Sequence, residues 1–102
     1  MQTITTTELK SRLDANEKVN LIDVREPGEH QEFNIGGKLI PLGNIMGMMI
    51  DDIEELKNEE LICYCRSGNR SMQATMMLET FGFTNVKNLT GGMLEWQEKF
   101  GK

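Results

Sequence analysis

The sequence has few of the residues that mark several common classes of protein. Its 102 residues include only two cysteines, two prolines, one histidine and one tryptophan. A small secreted domain held by disulfides needs more cysteines, and structural zinc usually needs four ligands at characteristic spacings. No stretch approaches the roughly 20 apolar residues of a membrane-spanning helix. We therefore expect a domain that folds on a hydrophobic core, with no metal and no cofactor.

Positive charge is also scarce. Eleven Lys and Arg residues stand against 16 Asp and Glu, a net charge of −5, which disfavours nucleic acid and anionic membranes as partners. Residues 1–10 lack the basic and apolar segments of a secretory signal, so we expect a cytoplasmic protein with free thiols. The length fits a single domain over residues 1–102, most simply a monomer.

Strand-like and helix-like patterns alternate along the chain. Short apolar runs predict strands at 2–4, 18–24, 38–42, 61–65 and 84–89. Apolar residues at helical spacing predict helices at 5–16, 45–60, 71–82 and 90–100. A turn with a short helical segment is expected at 25–33, around Pro27 and Gly28. This alternation predicts an α/β fold, with a parallel sheet covered on both faces by helices.

The most informative segment is "LICYCRSGNRS", residues 61–71, in which a strand ends at Cys65 and a short basic loop leads into a helix. Such loops lie at the carboxyl edge of a parallel sheet, where ligands bind. Amides of a curled loop and the positive end of a helix attract anions there, and Gly68 supplies the backbone freedom for the curl. We therefore expect Cys65 to be a thiolate at neutral pH.

Two structural conditions must hold for this interpretation. The amides that follow Cys65 must face its sulfur, and its side chain must not be sealed in the interior. Arg66 and Arg70 are expected to help hold an anionic substrate, at least one of them directly. The alternative is that both form salt bridges to the many carboxylates of this protein.

Four segments together resemble the single-domain rhodanese family of sulfurtransferases: "LIDVREPGEH", "GGKLIPL", "ICYCRSGNRS" and "GFTNVKNLTGGMLEWQ". The resemblance covers nearly the whole chain, and its most specific part is Cys-Arg-Ser-Gly-Asn-Arg-Ser at 65–71. It implies a three-layer fold around a parallel sheet of about five strands. One departure is Asn34, which stands where many relatives have the histidine of "GHIPGA".

The resemblance also implies a reaction. Cys65 would be the catalytic residue, and its persulfide would be cradled by the loop of Arg66, Ser67, Gly68, Asn69 and Arg70. Sulfane sulfur would pass from a donor such as thiosulfate to cyanide or a thiol, with a thioredoxin-like protein as a further partner. Two alternatives stay open, a sulfur-relay carrier and a regulatory binding module without activity.

A cysteine phosphatase or arsenate reductase is a weaker alternative. Those enzymes place five residues between the cysteine and the arginine of the loop, whereas four separate Cys65 from Arg70. A shorter loop makes a smaller cradle, better matched to one sulfur atom than to a tetrahedral phosphate.

The remaining polar and sulfur-containing residues have structural interpretations. Cys63 is expected to pack in the sheet rather than act as a resolving thiol. We expect His30 to be a surface loop residue, Arg25 to pair with an acidic neighbour, and Asp23 to close its strand by accepting backbone hydrogen bonds. The pair Gly91 and Gly92 would form a tight entry to the last helix near the Cys65 loop. Most of the eight methionines are expected to fill the core.

Overall fold

The computed structural model describes residues 1–101, in which strands and helices alternate as the sequence predicts. The strands are β1 Gln2–Ile4, β2 Asn20–Asp23, β3 Lys38–Leu39, β4 Leu61–Tyr64 and β5 Val86–Leu89. The helices are α1 Thr6–Asp14, α2 Pro27–Glu32, α3 Leu42–Met46, α4 Asn69–Thr80 and α5 Gly92–Phe100, with a 3₁₀ helix at Asp51–Leu56. The five strands form one parallel sheet in the order β1-β5-β4-β2-β3. The predicted α/β fold and the number of strands are confirmed.

Strand β4 lies in the middle of the sheet, and its side chains alternate between two cores. Cys63 packs on one face with residues of α4 such as Leu78. Tyr64 packs on the other face with Leu9 of α1 and Trp96 of α5. Cys63 is completely buried, as predicted from its place in an apolar strand. No helix within residues 1–101 has both the length and the apolar character needed to cross a lipid bilayer.

The ends of two helices follow from local sequence. Thr5 caps α1 by accepting a hydrogen bond from the amide of Glu8, while the Glu8 carboxylate accepts one from the amide of Thr5. Gly82 follows the end of α4 with a φ of +99°, a conformation that favours glycine. Both signals were readable from residue type and spacing alone.

The prediction of one helix over residues 45–60 is wrong. Helix α3 ends at Met46, the chain reverses at Met48 with a φ of +60°, and the 3₁₀ helix begins at Asp51. Because of this break, Ile50 rather than Met49 reaches the core. Six methionines are exposed and only Met93 is fully buried, so the expected core-filling role is also wrong for most of them.

Candidate active site

Cys65 follows the last residue of the central strand, at the carboxyl edge of the sheet. Its Sγ accepts hydrogen bonds from the backbone amides of Gly68 at 3.1 Å and Ser71 at 3.3 Å. The amides of the loop therefore face the sulfur, and the first condition set by the sequence is met.

The loop curls because of Gly68, whose φ of +105° lies in the left-handed region. Gly68 is the N-cap of α4 and has no side chain to satisfy the free amides of the first helical turn. The Cys65 sulfur acts as the capping acceptor instead, because it accepts a hydrogen bond from the amide of Ser71 in this turn. Charge on the sulfur is therefore placed at the positive end of a 12-residue helix.

These hydrogen bonds give the thiols of Cys65 and Cys63 pKa values that shift in opposite directions. Burial by itself would raise the pKa of Cys65, but a hydrogen bond with the Ser71 side chain and hydrogen bonds from the amides of Ser71, Gly68 and Ser67 outweigh it and lower the pKa. Burial raises the pKa of Cys63 to about 12. Since a thiolate is the nucleophilic form of cysteine, Cys65 is the one suited to attack.

The second condition is not met in this conformation, because Cys65 is only 1% exposed. Arg66, Ser67 and Asn69 in the loop above it are exposed, whereas Gly68 is buried. A reactant must therefore reach the sulfur through a change in the exposed part of the loop rather than through a preformed wide opening.

The two loop arginines differ in their surroundings. Arg70 forms a two-pronged salt bridge with Glu29 of α2, which lowers the pKa of that carboxyl to about 2. The structure thus places Arg70 in the salt bridge that the alternative interpretation proposed. Arg66 is exposed and lines a cavity of about 160 Å³, whose wall also includes Arg25, Glu29, Glu32, Phe33, Met93, Leu94 and Gln97.

Helix α5 holds the first part of the loop by its backbone. The amide of Met93 donates to the carbonyl of Cys65, and the amide of Leu94 donates to the carbonyl of Arg66, both at 2.9 Å. A Cβ atom on Gly92 would lie 2.5 Å from the Cys65 carbonyl oxygen, so only glycine permits this approach. The predicted closeness of the glycine pair to the loop is confirmed.

The polar residues that follow β2 form a buried cluster at the same edge of the sheet. Asp23 is fully buried, accepts from the amide of Arg25 and binds its guanidinium through both carboxylate oxygens, as the sequence predicted. His30 differs from expectation, because it lies on α2 with its Nδ1 2.8 Å from Asp23 Oδ2. Burial opposes ionisation of Asp23, but hydrogen bonds from Arg25 and His30 outweigh it and lower its pKa.

Two residues of the site were not among the predicted ones. Ser71 is fully buried and its Oγ lies 3.4 Å from Cys65 Sγ, while its hydroxyl donates a short hydrogen bond to Asn88 Oδ1. Ser71 was part of the quoted motif and could have been included on that ground. Asn88 comes from β5, and no local signal connects it with the loop. Across residues 1–101, no three side chains of His, Cys, Asp or Glu converge as metal ligands.

Comparison with known proteins gives a consistent result. The profile of the rhodanese-like domain family matches residues 5–99. A putative sulfurtransferase of Bacillus subtilis is 40% identical, over 92% of this chain and 88% of its own length. The human thiosulfate:glutathione sulfurtransferase is 30% identical, over 95% of this chain and 94% of its own length. A putative sulfur carrier protein of B. subtilis is 35% identical over 88% of this chain, which spans only about half (48%) of that relative's length.

The fold also matches a solved structure. A rhodanese-like domain protein from Staphylococcus aureus superposes with a TM-score of 0.83 at 34% identity, covering 94% of this chain and 91% of the other.

Proposed function

This chain belongs to the rhodanese-like domain family, and we propose that it is a sulfurtransferase whose Cys65 carries sulfur as a persulfide. The donor is an anionic sulfane compound such as thiosulfate, and the acceptor is cyanide or a thiol. The single observation that carries the proposal is the pair of amide hydrogen bonds to Cys65 Sγ at a helix N-terminus. Sulfurtransferase and sulfur-carrier relatives support the same role.

The first half of the reaction needs a nucleophile and a stable leaving group. The Cys65 thiolate attacks the outer sulfur of thiosulfate, the S–S bond of thiosulfate breaks, and sulfite leaves with the electron pair. The lowered pKa of Cys65 increases the fraction of the attacking sulfur that is charged. No proton moves in this step, so it does not require a base beside Cys65.

The negative charge then lies on the terminal sulfur of the persulfide. The amides of Gly68 and Ser71, at the start of α4, are already oriented toward the sulfur, and preorganised donors stabilise developing charge at little cost in reorganisation. In the second half, an acceptor thiolate or cyanide attacks the terminal sulfur, and the Cys65 thiolate departs. The covalent intermediate makes ping-pong kinetics the expected pattern.

Access to the sulfur requires the loop to open locally. The loop residues Arg66, Ser67 and Asn69 are exposed, and the hydrogen bonds to Met93 and Leu94 hold the backbone on one side of the loop. Movement of the exposed part uncovers Cys65 without disturbing β4. A reactant that offers one protruding sulfur atom suits this narrow approach better than a bulky one.

The test is sulfur loading followed by mass measurement. Incubation with thiosulfate is expected to add the mass of one sulfur atom to the wild-type protein and to a Cys63→Ser variant, and cyanide is expected to remove it as thiocyanate. A Cys65→Ser variant is expected to gain nothing. Loading of Cys65→Ser with turnover, or failure of the wild-type protein to load, would contradict the proposal. Hydrolysis of an aryl phosphate by the same sample, in place of sulfur transfer, would point to a phosphatase.

A further inference from the structure

The buried residues Ser71 and Asn88 form a short chain of hydrogen bonds that ends at Cys65. In the arrangement observed, the Cys65 thiol is positioned to donate to Ser71 Oγ, and the Ser71 hydroxyl donates to Asn88 Oδ1. Ser71 is 0% and Asn88 5% exposed, so neither acceptor is readily satisfied by solvent instead. Both hydrogen bonds therefore point away from the Cys65 sulfur, the first toward Ser71 and the second toward Asn88.

A hydroxyl group has one hydrogen, and this fact makes the arrangement a switch. When Cys65 loses its proton, its sulfur becomes an acceptor with a negative charge. The Ser71 hydroxyl can then donate to the sulfur or to Asn88 Oδ1, but not fully to both. Stabilisation of the thiolate by this hydroxyl therefore requires that Asn88 give up the hydrogen bond.

We propose that Asn88 is a positioning residue that competes with the Cys65 sulfur for the hydroxyl hydrogen of Ser71. The hydrogen lies toward Asn88 while the sulfur is a neutral thiol, and turns to the sulfur while it is a thiolate. When Cys65 becomes a persulfide, its Sγ is again neutral and the hydrogen returns to Asn88. The persulfide step of this inference rests on the proposed role of Cys65 as the sulfur carrier.

Asn88 also has a second, purely structural contact with the loop. Its Nδ2 donates to the carbonyl of Gly68 at 3.3 Å, and Gly68 is one of the residues whose amide binds the sulfur. Loss of this contact would loosen the cradle and raise the pKa of Cys65. Loss of the competing Oδ1 would lower it, because the Ser71 hydroxyl would then donate to the thiolate without opposition. The two roles of Asn88 predict shifts of opposite sign.

The experiment measures the rate of Cys65 alkylation by iodoacetamide against pH in four proteins: wild type, Asn88→Ala, Ser71→Ala and the double variant. A Cys65→Ser protein gives the background from Cys63. Asn88→Ala is expected to lower the midpoint by about one unit, a tenfold change in acid dissociation, when Ser71 is present. In the Ser71→Ala background the same substitution is expected to leave the midpoint unchanged or raise it.

Matched variants separate this effect from general loosening of the fold. Asn20→Ala removes a comparable side-chain hydrogen bond, from Asn20 to the carbonyl of Glu60 at the opposite edge of the sheet, and is expected to leave the midpoint unchanged. Asn88→Leu keeps the volume of the side chain without its polar atoms, and takes the place of Asn88→Ala if that protein does not fold. Arg70 of α4 and Cys63 of β4, which interact electrostatically with Cys65, stay the same in all variants.

Asn88→Ala and Asn88→Leu are expected to lower the midpoint more with Ser71 present than in the Ser71→Ala background, because the loss of the Gly68 contact is common to both backgrounds. Equal shifts in the two backgrounds would overturn the competition. Alkylation needs no sulfur donor, so the result does not depend on the proposed function. A protein that shows the predicted shifts and yet transfers no sulfur would support the competition while contradicting the sulfurtransferase assignment.

Discussion

Arg70, in the first turn of α4, donates to Glu29 of α2 through both terminal nitrogens of its guanidinium, from Nη1 to Oε1 at 2.7 Å and from Nη2 to Oε2 at 2.9 Å. Both side chains are about one-third exposed. The charge that the sequence assigned to substrate binding is thus already matched by a carboxylate. An anionic donor that uses Arg70 must compete with Glu29.

We therefore expect Glu29→Gln to strengthen the use of thiosulfate. The amide keeps an acceptor for the backbone of Glu26 but removes the negative charge that holds Arg70. The KM for thiosulfate is expected to fall roughly twofold to fivefold, the scale of a partly exposed ion pair. Glu79→Gln, at the exposed far end of α4, makes the same change in net charge and serves as the control. Equal KM values in the two variants would remove Arg70 from donor binding.

The reactivity of Cys65 is expected to titrate below the ordinary thiol range. Hydrogen bonds at the helix start favour the charged form, so the thiolate persists as the pH falls below the ordinary thiol value of about 8.5. The rate of alkylation against pH, corrected with Cys65→Ser, gives the midpoint directly. A midpoint at or above that of a free thiol would mean that burial outweighs the hydrogen bonds.

The near-complete burial of Cys65 predicts a dependence on reagent size. Iodoacetamide reacts through one small carbon centre, whereas an aromatic maleimide must bring a ring system to the sulfur. Relative to free cysteine at matched thiolate fraction, we expect the maleimide to be slowed about tenfold more than iodoacetamide. Mild urea below the unfolding transition is expected to narrow this gap, because it favours local opening. Equal slowing for both reagents would mean that the loop does not restrict access.

The close approach of α5 to the loop makes Gly92 a sensitive position. Gly92 has a φ of +57°, and an added Cβ would meet the carbonyl oxygens of Cys65 and Arg66 at 2.5 and 2.6 Å. Gly92→Ala is expected to lower the free energy of unfolding by at least about 1 kcal/mol, from the left-handed backbone alone. It should also raise the midpoint of Cys65 alkylation, because the loop must shift.

Gly28 offers a matched control within α2. Nothing lies within 4 Å of a Cβ placed there, and its φ is not in the left-handed region. Gly28→Ala is expected to leave the midpoint of Cys65 alkylation unchanged. It is expected to raise the free energy of unfolding by up to about 1 kcal/mol, since alanine loses less backbone entropy than glycine in a helix. Urea unfolding checks both variants. Similar stability for Gly92→Ala and Gly28→Ala would contradict the close packing of α5 against the loop.

The sequence was most informative where the evidence is local. A capping pair in α1, the glycine after α4 and the alternation of strands with helices were all readable and are confirmed. The break at Met48 was not, because an apolar spacing that fits one helix also fits two short ones that pack on the same core. The helix is interrupted by the left-handed φ of Met48, and methionine is not a residue type that indicates such a conformation.

The site shows the same division. The position of Cys65 at the end of a strand and the curl at Gly68 follow from residue types and order, although the near-closure of the sulfur does not. Arg70 and its partner Glu29 are 41 positions apart in the sequence, and Ser71 and Asn88 are 17 positions apart. Such pairs depend on how α2 and β5 are placed, and no pattern within either segment specifies them.

The position of β4 has a consequence for how the protein can fail. This strand is hydrogen-bonded to β5 on one side and to β2 on the other, so its amide protons should exchange with deuterated solvent only when the whole domain unfolds. The attachment point of Cys65 thus belongs to the last region to come apart, while the loop after it can fluctuate on its own. Destabilising substitutions far from the loop should therefore lower the fraction of folded protein before they lower the activity of each folded molecule.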